Sequence, residues 1–143
     1  MFILDTDAIT DDQNAHPILS TKVKNTPREQ LFTTSVTVEE QLKGRLAYIN
    51  RHRNNPRRSE QGHTALIQTV YYFSKWNIIS YSEDADAILR QLQRQRIRIG
   101  SQDLRIAAIG LLYGFTVVTR NVRDFVQASN LNIEDWTIAP QTP

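Results

Sequence analysis

Short apolar runs alternate with longer segments of helical periodicity along most of this chain. The apolar runs have the length of buried strands and cover residues 2–4, 31–33, 76–79 and 115–118, with 136–138 as a weaker fifth. Helical periodicity covers residues 36–50, 62–75, 83–95 and 102–113. Parallel strands need crossover connections, usually helices, so this order favours a mainly parallel sheet with helices on both faces. We therefore predict a three-layer α/β/α sandwich with about five strands, formed by residues 1–143 as one domain.

Local signals mark where several of these elements begin and end. Ser101 can N-cap the helix 102–113, and Gly114 stands where a left-handed C-cap belongs. Asn121 can N-cap a short helix after the fourth strand. Residues 51–60 are polar and contain a proline, so we expect this stretch to be a break that joins two helices.

The composition excludes several classes of site. The chain contains no cysteine, which rules out disulfides, zinc–thiolate centres and cysteine nucleophiles. The longest mostly apolar stretch, 107–118, is too short to span a bilayer and is interrupted by glycines. The first strand is followed at once by Asp5, an acid that a secretory signal would not contain at that place. We therefore expect a cytoplasmic protein without a membrane segment.

Charge is unevenly distributed along the chain. The net charge is only +2, from 17 basic and 15 acidic residues. Basic residues cluster in the stretch 51–58 and near residue 95, at Arg90, Arg94, Arg96 and Arg98. This distribution suits a metal site beside a track for a polyanion. Charge alone fits solvated loops and helix ends better, so both interpretations stay open.

Four acidic residues fall at comparable places in the predicted fold. Asp5 directly follows the first strand, and Glu40 lies early in the helix after the second. Asp124 lies in the first turn of the helix after the fourth strand, and Asp103 lies in the first turn of the helix that leads into that strand. Ligands of open parallel sheets bind beyond the carboxyl ends of the strands. We therefore expect these four side chains to meet at one edge of the sheet.

Converging carboxylates repel one another unless their pKa values rise or a cation binds between them. Carboxylate oxygens without cysteine or paired histidines suit Mg²⁺ or Mn²⁺, which can activate water for attack on a phosphodiester. Each acid also has a simpler explanation as a helix cap or as a favourable charge at a helix start. Two examples are the possible capping boxes Thr37-x-x-Glu40 and Asn121-x-x-Asp124. Capping does not explain why all four acids should lie at the same edge.

The motifs around these acids resemble those of PIN-domain proteins, most closely the VapC-type toxins of bacterial toxin–antitoxin pairs. The resemblance is carried by residues 2–7 (FILDTD), 35–44 (SVTVEEQLKG), 99–108 (IGSQDLRIAA) and 119–125 (TRNVRDF). The second of these has the spacing Ser-x-Thr-x-x-Glu-x-x-x-Gly, and residues 131–136 (LNIEDW) resemble the closing strand of the family. The resemblance covers nearly the whole chain in order, and the motifs around Asp103 and Asp124 are the most specific.

The resemblance implies a PIN-like fold and a metal-dependent endoribonuclease that leaves 3′-hydroxyl and 5′-phosphate ends on structured RNA or mRNA. It implies that Mg²⁺ or Mn²⁺ is bound by Asp5, Glu40, Asp103 and Asp124, with Thr6, Asp7 and Asn121 as supporting residues. It also implies a homodimer and a small antitoxin that covers the active site, with DNA bound only through the antitoxin. From the charge clustering we add the hypothesis that the RNA backbone is held by Arg94, Arg96 and Arg98.

Two features depart from the family pattern, and other functions remain to be weighed. Asp7 stands where relatives often have asparagine, and we interpret it as a cap or a supporting residue rather than a further ligand. The long basic stretch 51–60 leaves the path of the substrate open. The main alternative is a PIN-like module that binds RNA or a partner without cutting it. A phosphatase of the haloacid-dehalogenase type, suggested by Asp5-Thr6-Asp7, would need a later lysine, and none follows Lys75.

Overall fold

The computed structural model describes residues 1–139. In chain order, their strands and α-helices are β1 (Phe2–Leu4), α1 (Thr6–Gln13), α2 (Pro17–Asn25), β2 (Leu31–Thr34), α3 (Ser35–Arg51), α4 (Pro56–Ser74), β3 (Asn77–Ile79), α5 (Glu83–Arg94), α6 (Ser101–Tyr113), β4 (Thr116–Val118), α7 (Val122–Phe125) and β5 (Ile133–Glu134). None of the helices in this described part is long and apolar enough to cross a membrane.

The five strands form one sheet in the order β3-β2-β1-β4-β5, and all neighbours are parallel. β1 lies at the centre, where Ile3 is paired with Phe32 on one side and with Val117 on the other. The predicted sheet is therefore confirmed. The predicted weak strand 136–138 is wrong, because the fifth strand is Ile133–Glu134. Trp136 follows it in a turn and owes its apolar signal to burial rather than to strand pairing.

Successive residues of the central strands face opposite layers, as the pleat of a β-strand requires. Ile3 and Val117 pack in a core with helices α5, α6 and α7. Their neighbours Leu4 and Val118 pack on the other face with α1, α2 and α4. All four side chains are completely buried, and each contributes about 1.5–3 kcal/mol to folding through the hydrophobic effect. The three-layer α/β/α arrangement expected from the sequence is thus confirmed.

Helices α1 and α2 connect β1 to β2, and the apolar periodicity does not predict them. Their fully buried residues are few: Ala8, Ile9 and Leu19. α1 is capped by Asp5, and α2 has Pro17 at its first position, where a missing N–H costs nothing. These helices are therefore specified by end signals more than by an apolar stripe.

The predicted break at 51–60 is shorter in the structure. α3 continues to Arg51 and α4 begins at Pro56, which suits the first turn of a helix. The backbone N–H of Arg58 donates to Asn55 Oδ1 at 3.1 Å and completes the cap of α4. The basic stretch is thus mostly the tip of a helical hairpin formed by α3 and α4.

The two end signals of α6 have different outcomes. The expected cap at Ser101 is wrong, because Ser101 is the first helical residue, Gly100 holds the cap position and no side chain caps the helix. Gly114 ends the helix in the left-handed conformation, with φ at +66°, as predicted. Within the helix, a Cβ added to Gly110 would lie 2.8 Å from a side-chain carbon of Val117. A glycine at this position lets α6 approach β4 closely.

Candidate active site

Asp5 follows β1 directly and is held from two directions. Its backbone N–H donates to Val118 O at 3.1 Å, and its Oδ1 accepts from the N–H of Ala8 at 2.8 Å. The capping interpretation is therefore correct for this acid. The residue is only 1% exposed, and burying a carboxylate without a cationic partner is costly. A cap explains the hydrogen bond, but it does not explain why an ionisable group is placed in the interior.

Glu40 lies in the second turn of α3. The helix is capped by Thr34, whose Oγ1 accepts from the N–H of Thr37 at 3.3 Å, so the capping box Thr37-x-x-Glu40 is wrong. Thr6 Oγ1 donates instead to Glu40 Oε1 at 3.0 Å and lies 3.1 Å from Thr37 Oγ1. The two threonines therefore tie the Glu40 carboxylate to the start of α1, next to the end of β1.

Asn121 lies between the two remaining acids. Its Nδ2 donates to Asp124 Oδ2 at 2.9 Å and to Asp103 Oδ2 at 3.4 Å. Its own N–H donates to Thr119 Oγ1 at 2.8 Å, which fixes the start of the loop. Asn121 occupies the N-cap position of α7, but its side chain caps no backbone group, so the predicted side-chain cap is wrong. The amide bridges two carboxylates that come from different helices.

The acids perturb one another electrostatically. Burial, together with the nearby charges of Asp7 and Asp103, raises the pKa of Asp5 to about 7. Burial and the charge of Asp103 raise the pKa of Glu40 as well. The pKa of Asp103 is raised by burial and by the charges of Asp7 and Asp124. The carboxylates are thus close enough to repel one another, and a cation between them would offset this repulsion.

Asp7 lies in the first turn of α1 and is exposed. The predicted role as a cap is wrong for this residue, because Asp5 caps the helix. Its charge contributes to the raised pKa values of Asp5, Glu40 and Asp103, so it lies within electrostatic reach of these three acids. A supporting role for Asp7 at this edge stays a prediction.

The donor atoms suit a hard divalent cation, although they do not form a closed site. Within residues 1–139, no three acidic or imidazole side chains converge closely enough to hold a metal ion as they stand. The available donors are carboxylate oxygens, the hard ligands that Mg²⁺ or Mn²⁺ prefers. Mutual repulsion favours rotamers that keep carboxylates apart until a cation offsets their charge. The residues therefore fit the metal by the chemistry of their donor atoms.

The arginines expected to contact RNA precede Asp103 in the chain. Arg94 ends α5, and Arg96 and Arg98 lie in the segment that leads to α6 and hence to Asp103. All three arginines are exposed. Gln127 holds this segment at two points: Arg98 N–H donates to Gln127 Oε1 at 3.0 Å, and Gln127 Nε2 donates to Arg98 O at 3.2 Å. The basic segment is thus fixed against the chain that follows α7.

Several polar contacts around the site were not found from the sequence. Ser35 Oγ accepts from the N–H of Tyr81 at 2.9 Å and ties the end of β3 to the start of α3. Arg120 Nε lies 2.9 Å from Asp11 Oδ2, which joins the loop after β4 to α1. Ser35 had a signal, since it opens the motif that contains Glu40. The Arg120–Asp11 ion pair and the Gln127 clamp, which is the pair of hydrogen bonds between Gln127 and Arg98, join residues that are distant in sequence. They therefore left no local pattern.

Comparisons with solved structures find the same fold in VapBC and VapC proteins. The chain superposes on the crystal structure of DNA-bound VapBC from Salmonella typhimurium with a TM-score of 0.75 and 23% identity, covering 94% of this chain and 97% of the other. It superposes on VapC20 of Mycobacterium tuberculosis, a sarcin–ricin loop cleaving toxin, with a TM-score of 0.61 and 14% identity, covering 90% and 95%. The fold is therefore the PIN-like fold that the motifs led us to expect.

One relative is similar to this chain in amino-acid sequence over part of its length. Over 65 residues the chain is 39% identical to ribonuclease VapC1 of Rickettsia felis. The match spans 46% of this chain and 46% of that relative, somewhat less than half of each. No protein-family model matches the chain. The resemblance to VapC-type proteins inferred from the four motifs is confirmed by this relative and by the shared fold.

Proposed function

We propose that this chain is a metal-dependent endoribonuclease and the toxin component of a toxin–antitoxin pair. The observation that carries the proposal is the common position of Asp5, Glu40, Asp103 and Asp124 at the carboxyl edge of the sheet, where the first three have raised pKa values. Such a set of acids is suited to a cation and to a phosphodiester. Similarity to a ribonuclease and to a toxin that cleaves a structured RNA loop supports RNA as the substrate.

The residues divide into ligands and positioning groups. Asp5, Glu40 and Asp103 would bind Mg²⁺ or Mn²⁺, and Asp124 would complete the site. The chemistry that the bound ion supplies is activation of water and stabilisation of charge on the phosphate. Thr6 orients Glu40 through its hydroxyl, and Asn121 orients Asp103 and Asp124 through one amide group. Hydrogen bonds of this kind keep carboxylate ligands in a productive arrangement.

The exposed arginines provide the substrate track. Arg94, Arg96 and Arg98 would neutralise phosphates next to the acids, which themselves repel a polyanion. The two hydrogen bonds from Gln127 hold the backbone at Arg98 in place, so the backbone there needs little ordering when RNA binds.

We also propose the partners that the resemblance implies. A small antitoxin with a basic side chain near its C-terminus would be attracted by the acidic edge and would exclude RNA from it. The protein would act in the cytoplasm as a homodimer, and DNA would be contacted through the antitoxin. The Salmonella structure is that of VapBC bound to DNA, which supports the proposal that an antitoxin and DNA are partners.

The experiment that tests the proposal is RNA cleavage by the purified, partner-free protein. Total RNA is incubated with Mg²⁺, with Mn²⁺ or with EDTA, and new 5′-phosphate ends are mapped by ligation. Asp103→Asn removes one ligand charge at constant size. Asp84→Asn is the matched control, because Asp84 is an exposed acid in the first turn of α5, on another helix.

We expect discrete cuts by the wild type and by Asp84→Asn in the presence of metal, and none by Asp103→Asn. The same result for all three proteins, whether cutting or not, would contradict the proposal. RNA binding without cutting under every metal condition would instead favour the module that binds RNA or a partner.

A further inference from the structure

A polar groove lies beside the acidic edge, between α1, α3 and α4. Its volume is about 630 Å³, which is ample for one nucleotide unit. The side chains that matter for its chemistry are Thr10, Gln13, Gln41, Arg45, Gln68 and Tyr72. Among residues 1–139, none of those that line it is acidic. The groove therefore differs in charge from the cluster of acids next to it.

The groove continues the contact that holds Glu40. Thr6 and Glu40 form one contact between α1 and α3, through a 3.0 Å hydrogen bond. About 6 Å further along α1, one turn from Thr6, Thr10 Oγ1 accepts from Gln41 Nε2 at 3.2 Å. A nucleotide adjoining one bound at the acids can therefore reach the groove.

Gln13 and Gln41 form a reciprocal amide pair at this place. Gln13 Nε2 donates to Gln41 Oε1 at 2.7 Å, and Gln41 Nε2 donates to Gln13 Oε1 at 2.9 Å. An amide presents one donor and one acceptor side by side, which is the pattern that matches the edge of a nucleobase. Each glutamine can exchange its partner amide for a base edge without losing hydrogen bonds.

The rest of the lining favours a nucleotide over a peptide. Arg45 Nε donates to Thr69 Oγ1 at 3.1 Å, so its guanidinium is held in the groove and keeps further donors for a phosphate. Tyr72 adds a phenol side chain to the lining, and its hydroxyl donates to Asp12 Oδ2 at 2.7 Å. A peptide partner would need apolar pockets for anchoring side chains. In the part of the chain that the structure describes, Ala65 is the one aliphatic side chain that lines the groove.

We propose that this groove is a base-recognition subsite that binds one unpaired nucleotide of the RNA substrate, adjacent to the cleaved phosphodiester. Gln13 and Gln41 read the base edge, and Arg45 contacts the neighbouring phosphate. The proposal rests on the proposed ribonuclease activity and adds to it a source of sequence preference. RNA is generally read in this way, through unstacked bases in single-stranded loops.

The test compares cleavage preference, not only activity. Wild type, Gln13→Ala, Gln41→Ala and the double variant are incubated with total RNA and Mg²⁺, and cut sites are mapped at nucleotide resolution. Oligonucleotides that differ at one position beside the cut then give ratios of kcat/KM. Gln91→Ala is the matched control, since Gln91 is exposed on α5, in the layer on the other face of the sheet.

We expect the kcat/KM ratio between the best and worst base at one position to fall roughly tenfold or more in the glutamine variants. Gln91→Ala should keep the wild-type ratio. Arg45→Ala should weaken the binding of all sequences alike. It should also lower the slope of log affinity against log salt by about 1, which corresponds to the loss of one phosphate contact.

Two results would overturn the subsite while leaving the ribonuclease intact: an unchanged preference in both glutamine variants, or an equal loss for every sequence. An unchanged preference together with weaker binding of a peptide partner would assign the groove to that partner. Failure of the wild type to cut any RNA would instead remove the proposed function itself. Circular dichroism of each variant checks that it is folded. Alanine has a high helix propensity, so these substitutions should preserve the helices.

Discussion

Replacing Asp5 by asparagine should stabilise the protein at neutral pH, although Asp5 is central to the proposed site. Asparagine can still accept the hydrogen bond from the N–H of Ala8 and cap α1. What it removes is a carboxylate that is 1% exposed and has a pKa of about 7 instead of 3.8. At about 1.4 kcal/mol per pH unit, this difference corresponds to about 4 kcal/mol at pH 8. That is a large part of the stability of a typical domain.

The direction of the change in stability with pH follows from proton binding. Between about pH 4 and pH 7 the folded protein keeps a proton on Asp5 that the unfolded chain has released, so wild-type stability falls as the pH rises. Asp5→Asn has no carboxyl group to titrate at this position, so its stability does not fall in this way. The stability difference between variant and wild type should therefore grow by about 1.4 kcal/mol per pH unit from pH 5 to pH 7 and level off above.

Urea unfolding in EDTA at pH 5, 6, 7 and 8 measures this difference, with tryptophan fluorescence as the probe, to which the buried Trp136 contributes. Asp84→Asn, at an exposed position, should show no such growth. A pH-independent difference for Asp5→Asn, or a variant less stable than the wild type throughout, would refute the assignment of a buried carboxyl with a raised pKa.

Replacing Arg94, Arg96 and Arg98 together by alanine should weaken RNA binding. The slope of log affinity against log salt should fall by about 2–3, because three phosphate contacts are lost. Filter binding at several salt concentrations measures this slope, and an unchanged slope would contradict the proposed RNA contact. Gly62→Ala should destabilise the protein by about 1–3 kcal/mol, because the added carbon would lie 2.9 Å from a side-chain carbon of α3. Gly44→Ala, with no atom within 4 Å of the added carbon, should stabilise α3 by about 0.5–1 kcal/mol. Thermal unfolding compares these two, and the same sign for both would contradict the packing described.

The central strands could be predicted from the sequence because their residues are buried on both faces. β1 and β4 are short apolar runs, and parallel pairing follows from the helices between them. β5 could not be found in this way, since it has two residues and one of them, Glu134, is exposed. Trp136 gave the stronger apolar signal, yet it packs in a turn. Strand pairing at an edge therefore depends on tertiary contacts that the local pattern does not contain.

The candidate site was predicted as a location but not as a set of contacts. Asp5 follows the end of a strand, and Glu40 and Asp103 lie near the starts of two helices. The order of strands and helices was sufficient to predict that these three acids come within electrostatic reach of one another. The interpretation of Asn121 as a cap was wrong, because its amide binds two carboxylates in preference to the backbone. Gln127 was missed altogether, because its partner lies 29 residues away in the chain.

The most direct test of the central claim is a titration of Mn²⁺, by calorimetry or electron paramagnetic resonance, into the partner-free protein. The variants are Asp5→Asn, Glu40→Gln, Asp103→Asn and Asp124→Asn, with Asp84→Asn as the control. We expect the wild type and the control to bind Mn²⁺ alike, and each of the four variants to bind it at least about tenfold more weakly. Equal binding by all six proteins would contradict the claim that these acids form one metal site.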